Sequence, residues 1–409
     1  MNAGAALAAT GVAVRDGGPG DAVAGVEPRW VASPASTEEV AAVLRAAARQ
    51  GLAVVPSGGR TKIGWGGPPE RCGLLLDTRR LDRVVEHVAG DLVVRVQAGL
   101  RADVLGQALA ASGQELALDV PPGPATVGGV LAAGTAGPRR LRYGTGRDLL
   151  IGITVVLADG TVARAGGKVV KNVAGYDIGK LFTGSLGTLG VITEATFRLH
   201  PLPASRAFVT VTVPAAHRLD AAGAIAGSQL EPSAVEIDVP DVNGPATVAV
   251  LIEGTAAEER ATAAGDLLGA AAPPTGTPPS WWGLPPGEGY LLELRVPPAA
   301  AGPALGVVAG AAGRLPVRVR GSAASAALWL ALPAPTPPTT VGAFVSEARD
   351  ALAAYGGRLV VWGTPEGSTE PLDRWGPVGS ATLMSRVKER FDPEGRMAPG
   401  RMPGAGRAG

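Results

Sequence analysis

Two glycine-rich segments constrain this chain more than any other feature. One is Pro56-Ser57-Gly58-Gly59-Arg60-Thr61-Lys62, entered directly from the short apolar run Leu52–Val55. The other is Pro122–Gly137, which reads Pro-Gly-Pro-Ala-Thr-Val-Gly-Gly-Val-Leu-Ala-Ala-Gly-Thr-Ala-Gly. A strand that runs into Gly-Gly leaves backbone N–H groups with no bulky side chain over them, and such groups suit phosphate oxygens. Two loops of this kind converging on one place suit a pyrophosphate. Glycine supplies 60 of 409 residues, about twice ordinary usage. Each loop taken singly therefore reads equally well as a plain turn, and the order of the surrounding motifs has to decide.

Size and charge limit the function classes. A chain of 409 residues accommodates two ordinary domains. The formal charge of +1, from 37 basic and 36 acidic residues, gives no reason to expect nucleic acid or a polybasic membrane contact. Mean hydropathy is positive at +0.21, yet no apolar run approaches the roughly 18 residues a membrane span needs. Met1–Thr10 lacks the basic start of a secretory signal, so a cytoplasmic location is expected, with any contact to the inner membrane face made through partners. A single cysteine, Cys72, excludes an intrachain disulfide, a Cys-ligated iron–sulfur cluster and a paired-cysteine zinc site. No metal site is expected. The run Asp16-Gly-Gly-Pro-Gly20 marks residues 1–25 as a loose tail.

Periodicity then divides the rest. Ser36-Thr37-Glu38-Glu39 is a capping box opening a helix on Val40, Val43, Leu44 and Ala47, which Gly51 stops. Strands are predicted at Leu74–Leu76, around Leu92–Val96 and at Val191–Leu199, with a hairpin of Ile153–Leu157 and Thr161–Ala163 around Asp159-Gly160. Beyond Pro203 the pattern changes. Strands near 207–213, 234–238, 246–252, 289–296, 315–320, 326–332 and 358–362 alternate with helices near 217–228, 256–271, 300–312 and 341–355. That order predicts an antiparallel sheet with helices on one face, a split βαβ unit used twice. Ala272–Gly289, with Trp281-Trp282, reads as the linker between the halves, and Leu383–Phe391 as a short amphipathic helix. No Gly-x-Gly-x-x-Gly with a following acidic residue is present, so a Rossmann site is not indicated.

The motifs form a fixed series. Pro-x-Gly-Gly-x-Thr-Lys (56–62), Leu-Asp-Thr-x-x-Leu-Asp (76–82) and Val-Gln-Ala-Gly-Leu (96–100) are followed by Ala-Thr-Val-Gly-Gly-Val (125–130), Gly-Pro-Arg-Arg (137–140) and Tyr-Gly-Thr-Gly-Arg-Asp (143–148). Lys-Asn-Val-Ala-Gly-Tyr-Asp (171–177) and Gly-Ser-Leu-Gly-Thr-Leu-Gly-Val-Ile-Thr (184–193) complete it. The series resembles the FAD domain of the vanillyl-alcohol-oxidase (PCMH-type) flavoproteins, and more narrowly the FAD-binding E subunit of bacterial glycolate oxidase. The resemblance is strong over 29–204, moderate over the final 20 residues, and one of layout only between them.

The resemblance implies an α+β fold: a PCMH-type FAD domain of two α+β subdomains over 26–204, a cap or substrate domain over 205–375, and a C-terminal segment, 376–409, returning to the FAD domain. It implies FAD between the two loops, with Pro56, Ser57, Gly58, Gly59, Arg60 and Thr61 on one side and Thr126, Val127, Gly128 and Gly129 on the other. Gly134 and Gly137 would allow close approach, Gly190, Val191 and Ile192 would line the adenosine side, and Thr78 is a weaker member. Relatives that attach flavin covalently use a His just after Gly-Gly; Arg60-Thr61 stands there, so FAD is expected to be noncovalent. Arg60 would be strained if its φ is positive, while its guanidinium could pair with phosphate. Ala398 replaces the Asn usual in the closing motif Phe391–Arg401.

Oxidising a 2-hydroxy acid requires a base for the hydroxyl proton and a cation for the carboxylate. Arg139 and Arg140 are the candidates for the carboxylate, and Tyr143, Lys171 and Tyr176 for catalysis. Lys168, Lys171 and Lys180 gather three of five lysines into 13 positions. His87, His200 and His217 are scattered, unlike the His-rich cluster of flavin dehydrogenases acting on such acids. Three readings follow: an FAD subunit of a glycolate oxidase complex with a larger flavin subunit and an iron–sulfur subunit, a stand-alone dehydrogenase of another 2-hydroxy acid or alcohol, or a flavin relay subunit without turnover of its own.

Overall fold

The computed structural model describes residues 2–167, 178–368 and 372–403. Two compact units make up the chain: Met1–Thr135 with Thr145–Leu202 and Val378–Gly409, and Ala136–Gly144 with Pro203–Pro377. The short segment Ala136–Gly144 therefore groups with the second unit, although it lies inside the 26–204 stretch expected as one domain.

In the first unit, Leu74–Asp77 is the buried centre of a four-stranded sheet. Trp30–Ser33 and Val54–Ser57 flank it in parallel, and Ala13–Asp16 adds an antiparallel edge on Trp30–Ser33. Leu74, Leu75 and Leu76 are all buried, as a strand covered on both faces requires. The helix Thr37–Arg49 makes the parallel crossover. Its Ser36 hydroxyl caps the helix as predicted, accepting from the Glu39 N–H at 3.1 Å, but the Glu39 carboxylate reaches one residue further back, to the Ala35 N–H at 2.7 Å, so the reciprocal bond of a capping box is not made. Val40, Val43 and Leu44 share one core with Leu74 and Leu76 and with Val156 and Val191 of a second sheet. That second sheet is antiparallel, in the order Val84–Val88, Val93–Gln97, Val191–Arg198, Leu150–Val156, Val162–Gly166.

Residues 2–25 do not trail as the tail expected over 1–25. Ala3–Ala8 is a helix with Leu7 fully buried in the core of Val40 and Leu44. Arg15 pairs with Asp21 at 2.7 Å, and the Arg60 guanidinium donates to the Ala22 carbonyl at 2.7 Å. The Gly-Pro-Gly run that looked like loose chain is a turn closed by these ties.

The C-terminal stretch is built into the same unit. Met397 bridges Val54 in parallel, with the Val54 N–H donating to Arg396 O and the Ala398 N–H to Val54 O, both at 2.8 Å. This extends the four-stranded sheet beside the strand that enters the first glycine loop. The helix Ala381–Phe391 ends on a buried lock: the Lys388 ammonium donates to Thr188 O and Met397 O at 2.7 Å and pairs with Asp392. The Asp392 carboxylate also accepts from the Arg396 and Met397 N–H groups.

The second unit is a seven-stranded antiparallel sheet in the order Arg206–Val213, Ala246–Glu253, Ala234–Val239, Arg318–Ser322, Ala327–Leu332, Tyr290–Arg295, Arg358–Gly363. Helices Arg218–Ala226, Ala257–Leu268, Ala301–Ala312 and Pro338–Leu352 share one core with alternate strand residues such as Val248, Val250 and Ile252. The β-α-β-β-α and β-α-β-β-α-β order is the one predicted from periodicity. Trp282 of the linker anchors it by packing edge-on against Phe208 at 5.2 Å. The residues that point away from the helices include buried charges, among them Glu236, Glu253, Glu293 and Arg320. Among the described residues, no helix is long and apolar enough to cross a membrane.

Candidate functional site

In the first unit the two glycine loops do converge. A Cβ on Gly58 would lie 2.2 Å from the Thr126 hydroxyl, and one on Gly59 would lie 1.6 Å from the Pro124 carbonyl oxygen. Only glycine permits this approach. The groove they form, about 760 Å³ counting its open mouth, is lined by Pro56, Ser57, Gly58, Gly59, Arg60, Thr61, Thr78, Thr126, Gly128, Gly129, Gly190, Val191 and Ile192.

The two walls differ in chemistry. Among the described residues, the backbone N–H groups of Gly58, Gly59, Arg60, Thr61 and Lys62 donate to no protein acceptor. Five successive uncommitted donors on one wall are what a diphosphate needs. On the other wall the N–H groups of Val127 and Gly128 are already used, by Leu100 O at 2.9 Å and Ala98 O at 2.7 Å. Gly129 N–H donates to the Thr126 hydroxyl at 3.3 Å. This wall supplies closeness rather than donors.

Three expected members stand elsewhere. Val127 faces the apolar core of Leu105, Leu131 and Phe197. Gly134 caps the helix Val127–Ala133 at φ 65° and lets Gly184 approach, without lining the groove. Gly137 belongs to the second unit. Thr78 lines the groove, but its hydroxyl donates to Ser57 O at 3.1 Å, so it also ties the strand ends together.

Arg60 has φ 61°, the strained conformation anticipated for it. Its guanidinium, however, points to the carbonyls of Asp21 and Ala22 at 3.4 and 2.7 Å. A non-glycine in such a place needs tertiary anchoring, and these two bonds supply it. Leu186, also on the lining, has φ 51° directly before Gly187, at φ 75°. Ala398 has φ 41° and is fully buried; Asn is among the residues that best tolerate that backbone.

The predicted cofactor set omitted eight of the lining residues, Lys62, Leu186 and Arg401 among them. Lys62 closes the first loop motif, half-buried, and burial holds its pKa below the usual lysine value. Arg401 lies in the closing motif, and its guanidinium donates to Ile63 O at 3.0 Å and to Trp65 O. Leu186 lies in the motif 184–193, of which only Gly190, Val191 and Ile192 were assigned to the groove.

The substrate-side candidates lie in the second unit, around Glu253. This carboxylate is 1% exposed. It accepts from Arg206 at 2.9 Å and Tyr143 Oη at 3.1 Å and pairs with Arg139 at 3.5 Å. Burial alone would raise its pKa, but Arg139, the Ser233 hydroxyl and Arg206 outweigh that and hold it below the usual range. Arg140 lies near Glu293, Glu236 and Arg295, and burial pushes its pKa down; its Nε has no hydrogen-bond partner. Glu253 went unnoticed in the sequence because a carboxylate at a strand end carries no signal of burial. Lys168, Lys171 and Tyr176 lie outside the described residues. His87 meets Gln114 at 2.9 Å and His217 is exposed beside Asp220. Among the described residues no group of three metal-capable side chains occurs.

Residues 28–166 match the family model described as FAD binding domain. The chain carries an FAD-binding domain. Its groove fits that cofactor on physical grounds as well, through the uncommitted N–H row and the glycines whose Cβ atoms would fill the cradle.

The chain is 36% identical over 184 residues to the glycolate oxidase subunit GlcD of Bacillus subtilis (strain 168), covering 44% of this chain and 38% of that protein. A D-2-hydroxyglutarate dehydrogenase of Xanthomonas citri pv. viticola is 38% identical over 177 residues, 43% of this chain and 38% of its own length. A D-lactate dehydrogenase of Archaeoglobus fulgidus is 39% identical over 175 residues, 42% and 38%. The match thus spans less than two fifths of each relative. Among solved structures, a chitooligosaccharide oxidase superposes with TM-score 0.68 at 16% identity over 96% of this chain and 97% of its own. An alkyldihydroxyacetonephosphate synthase does so with 0.65 at 19% identity over 91% and 76%. The fold is the α+β fold of PCMH-type FAD-binding flavoproteins.

Proposed function

We propose that this chain is the FAD-bearing subunit of a glycolate oxidase-type complex and oxidises a small 2-hydroxy acid, glycolate first among them, to the 2-oxo acid. The observation that carries the flavin part is the row of uncommitted N–H groups at Gly58–Lys62, held against Pro124–Thr126 by glycines. These groups, Thr61 among them and with Pro56 and Ser57 behind them, bind the diphosphate noncovalently, while Gly190, Val191 and Ile192 pack against the adenosine. When bound, FAD supplies the acceptor for the two electrons and the hydrogen removed from the carbinol carbon.

The chain's own residues have the remaining tasks. Arg139 and Arg140 bind the substrate carboxylate, a role that suits a guanidinium fork. Tyr143, Lys171 and Tyr176 hold or accept the hydroxyl proton. A larger flavin subunit and an iron–sulfur subunit take the electrons onward, since one cysteine cannot hold a cluster.

One observation favours a second reading, a flavin relay subunit without turnover of its own: Arg139 and Tyr143 are both engaged by the buried Glu253. The purified chain should be yellow, and acid precipitation should release the colour into the supernatant. A colourless chain refutes the flavin reading. Anaerobic addition of glycolate, D-lactate and D-2-hydroxyglutarate then separates the rest. Bleaching by glycolate, alone or with co-purified subunits, supports the leading proposal. Bleaching by none of the three in the assembled complex supports the relay.

A further inference from the structure

Three cations line the groove among the described residues: Arg60, Lys62 and Arg401. Arg60 is spent on the carbonyls of Asp21 and Ala22, and Arg401 donates to Ile63 O and Trp65 O. Lys62 differs from both. Its ammonium has no carboxylate within ion-pair distance and no hydrogen-bond acceptor among the described residues; its contact is the Trp65 ring, 5.4 Å from Nζ to the centroid. A half-buried ammonium with no anion is costly unless one arrives. Its backbone N–H is the last of the five uncommitted donors, so side chain and main chain of one residue border the same wall. Burial also depresses its pKa, an effect that an anionic ligand would reverse.

We propose that Lys62 is the counter-charge of the cofactor diphosphate, its ammonium swinging from the Trp65 ring to a phosphate oxygen when FAD binds. The proposal rests on the flavin reading of the groove and adds a specific residue to it. The backbone row gives shape and donors without net charge, and Lys62 supplies the charge. A lysine suits this place better than the neighbouring arginine, because its flexible point charge reaches a phosphate without a fixed fork geometry.

The test measures affinity, not turnover. Apo-protein is titrated with FAD, ADP and riboflavin by fluorescence and calorimetry, for wild type, Lys62→Gln and Lys62→Arg, at low and high salt. Loss of one charge-assisted hydrogen bond predicts that Lys62→Gln binds FAD and ADP roughly 10- to 100-fold more weakly. The same variant should show a flatter salt dependence, while riboflavin, which has no phosphate, binds as before. Lys62→Arg should recover part of the loss, and unchanged melting of the apo-variants shows that folding is intact. Equal weakening of riboflavin would place Lys62 at the flavin ring and overturn the proposal. Unchanged FAD and ADP affinity would leave Lys62 a packing partner of Trp65 and overturn it too. A wild type that binds ADP but no flavin would refute the flavin reading while Lys62 still answered to the diphosphate; one that binds none of the three refutes both.

Discussion

Substituting Gly59 by Ala tests whether the closeness of the two loops is what makes the groove. The added Cβ would stand 1.6 Å from the Pro124 carbonyl oxygen and 2.6 Å from its carbon. Ordinary contact begins near 3.4 Å, so the walls must part by roughly 2 Å. A carbonyl in the main chain cannot rotate away as a side chain can. Overpacking of this kind costs about 1–3 kcal/mol, and if the strain is relieved only by opening the groove, FAD binding weakens roughly 5- to 150-fold. Gly58→Ala should be milder, because it meets the Thr126 hydroxyl, a side-chain atom that can turn aside at the expense of its bond to Gly129. Gly64→Ala, with nothing within 4 Å, is the control. Flavin content from visible absorbance, FAD titration and apo-protein melting curves measure the series. If Gly59→Ala binds FAD like wild type, or Gly64→Ala is equally harmful, loop convergence is not the cause of binding.

Further outcomes follow from buried charges and the one thiol. Asp392→Asn leaves Lys388, 9% exposed on its side chain, without its anion; removing one partner of a buried pair costs about 3–5 kcal/mol, read by denaturant unfolding. Glu253 has a folded pKa below its unfolded value, so its contribution is complete above the unfolded pKa, about 4.3, and is lost as pH falls through the folded one. Glu253→Gln should therefore lower stability at neutral pH and flatten the acid limb of the stability–pH curve; an unchanged acid limb would show that Arg139 and Arg206 do not hold this carboxylate. Burial raises the Cys72 thiol to about 11, so it should resist alkylation in the native protein at neutral pH and react on unfolding, as labelling with a thiol reagent followed by mass spectrometry would show.

Much of the fold was legible because the sequence carries it locally. Alternation over Ala246–Glu253 and helical spacing over Ala257–Leu268 are short-range patterns, and the seven-stranded sheet with its four helices follows from them. The strand Val84–Val88 was not read, since its outward valines are exposed at a sheet edge and break no pattern that marks a loop. The first 25 residues were misread for the same kind of reason. Their order comes from Leu7 in a distant core and from Arg15, Asp21 and Arg60 meeting across the fold, and composition records none of it.

By itself the sequence determined which backbone could bind an anion: Gly58-Gly59 after a strand, and Gly128-Gly129 opening a helix, allow shapes that other residues forbid. Only the tertiary structure decided which of those N–H groups are uncommitted. Val127 and Gly128 spend theirs on carbonyls of Leu100 and Ala98, while Gly58–Lys62 keep theirs. It likewise turned Arg60 toward the Asp21 and Ala22 carbonyls and left Lys62 on the groove. Conformational freedom is a property of a residue and its neighbours in sequence. Hydrogen-bond satisfaction and charge pairing depend on groups brought from far along the chain, so they are settled only when the chain has folded.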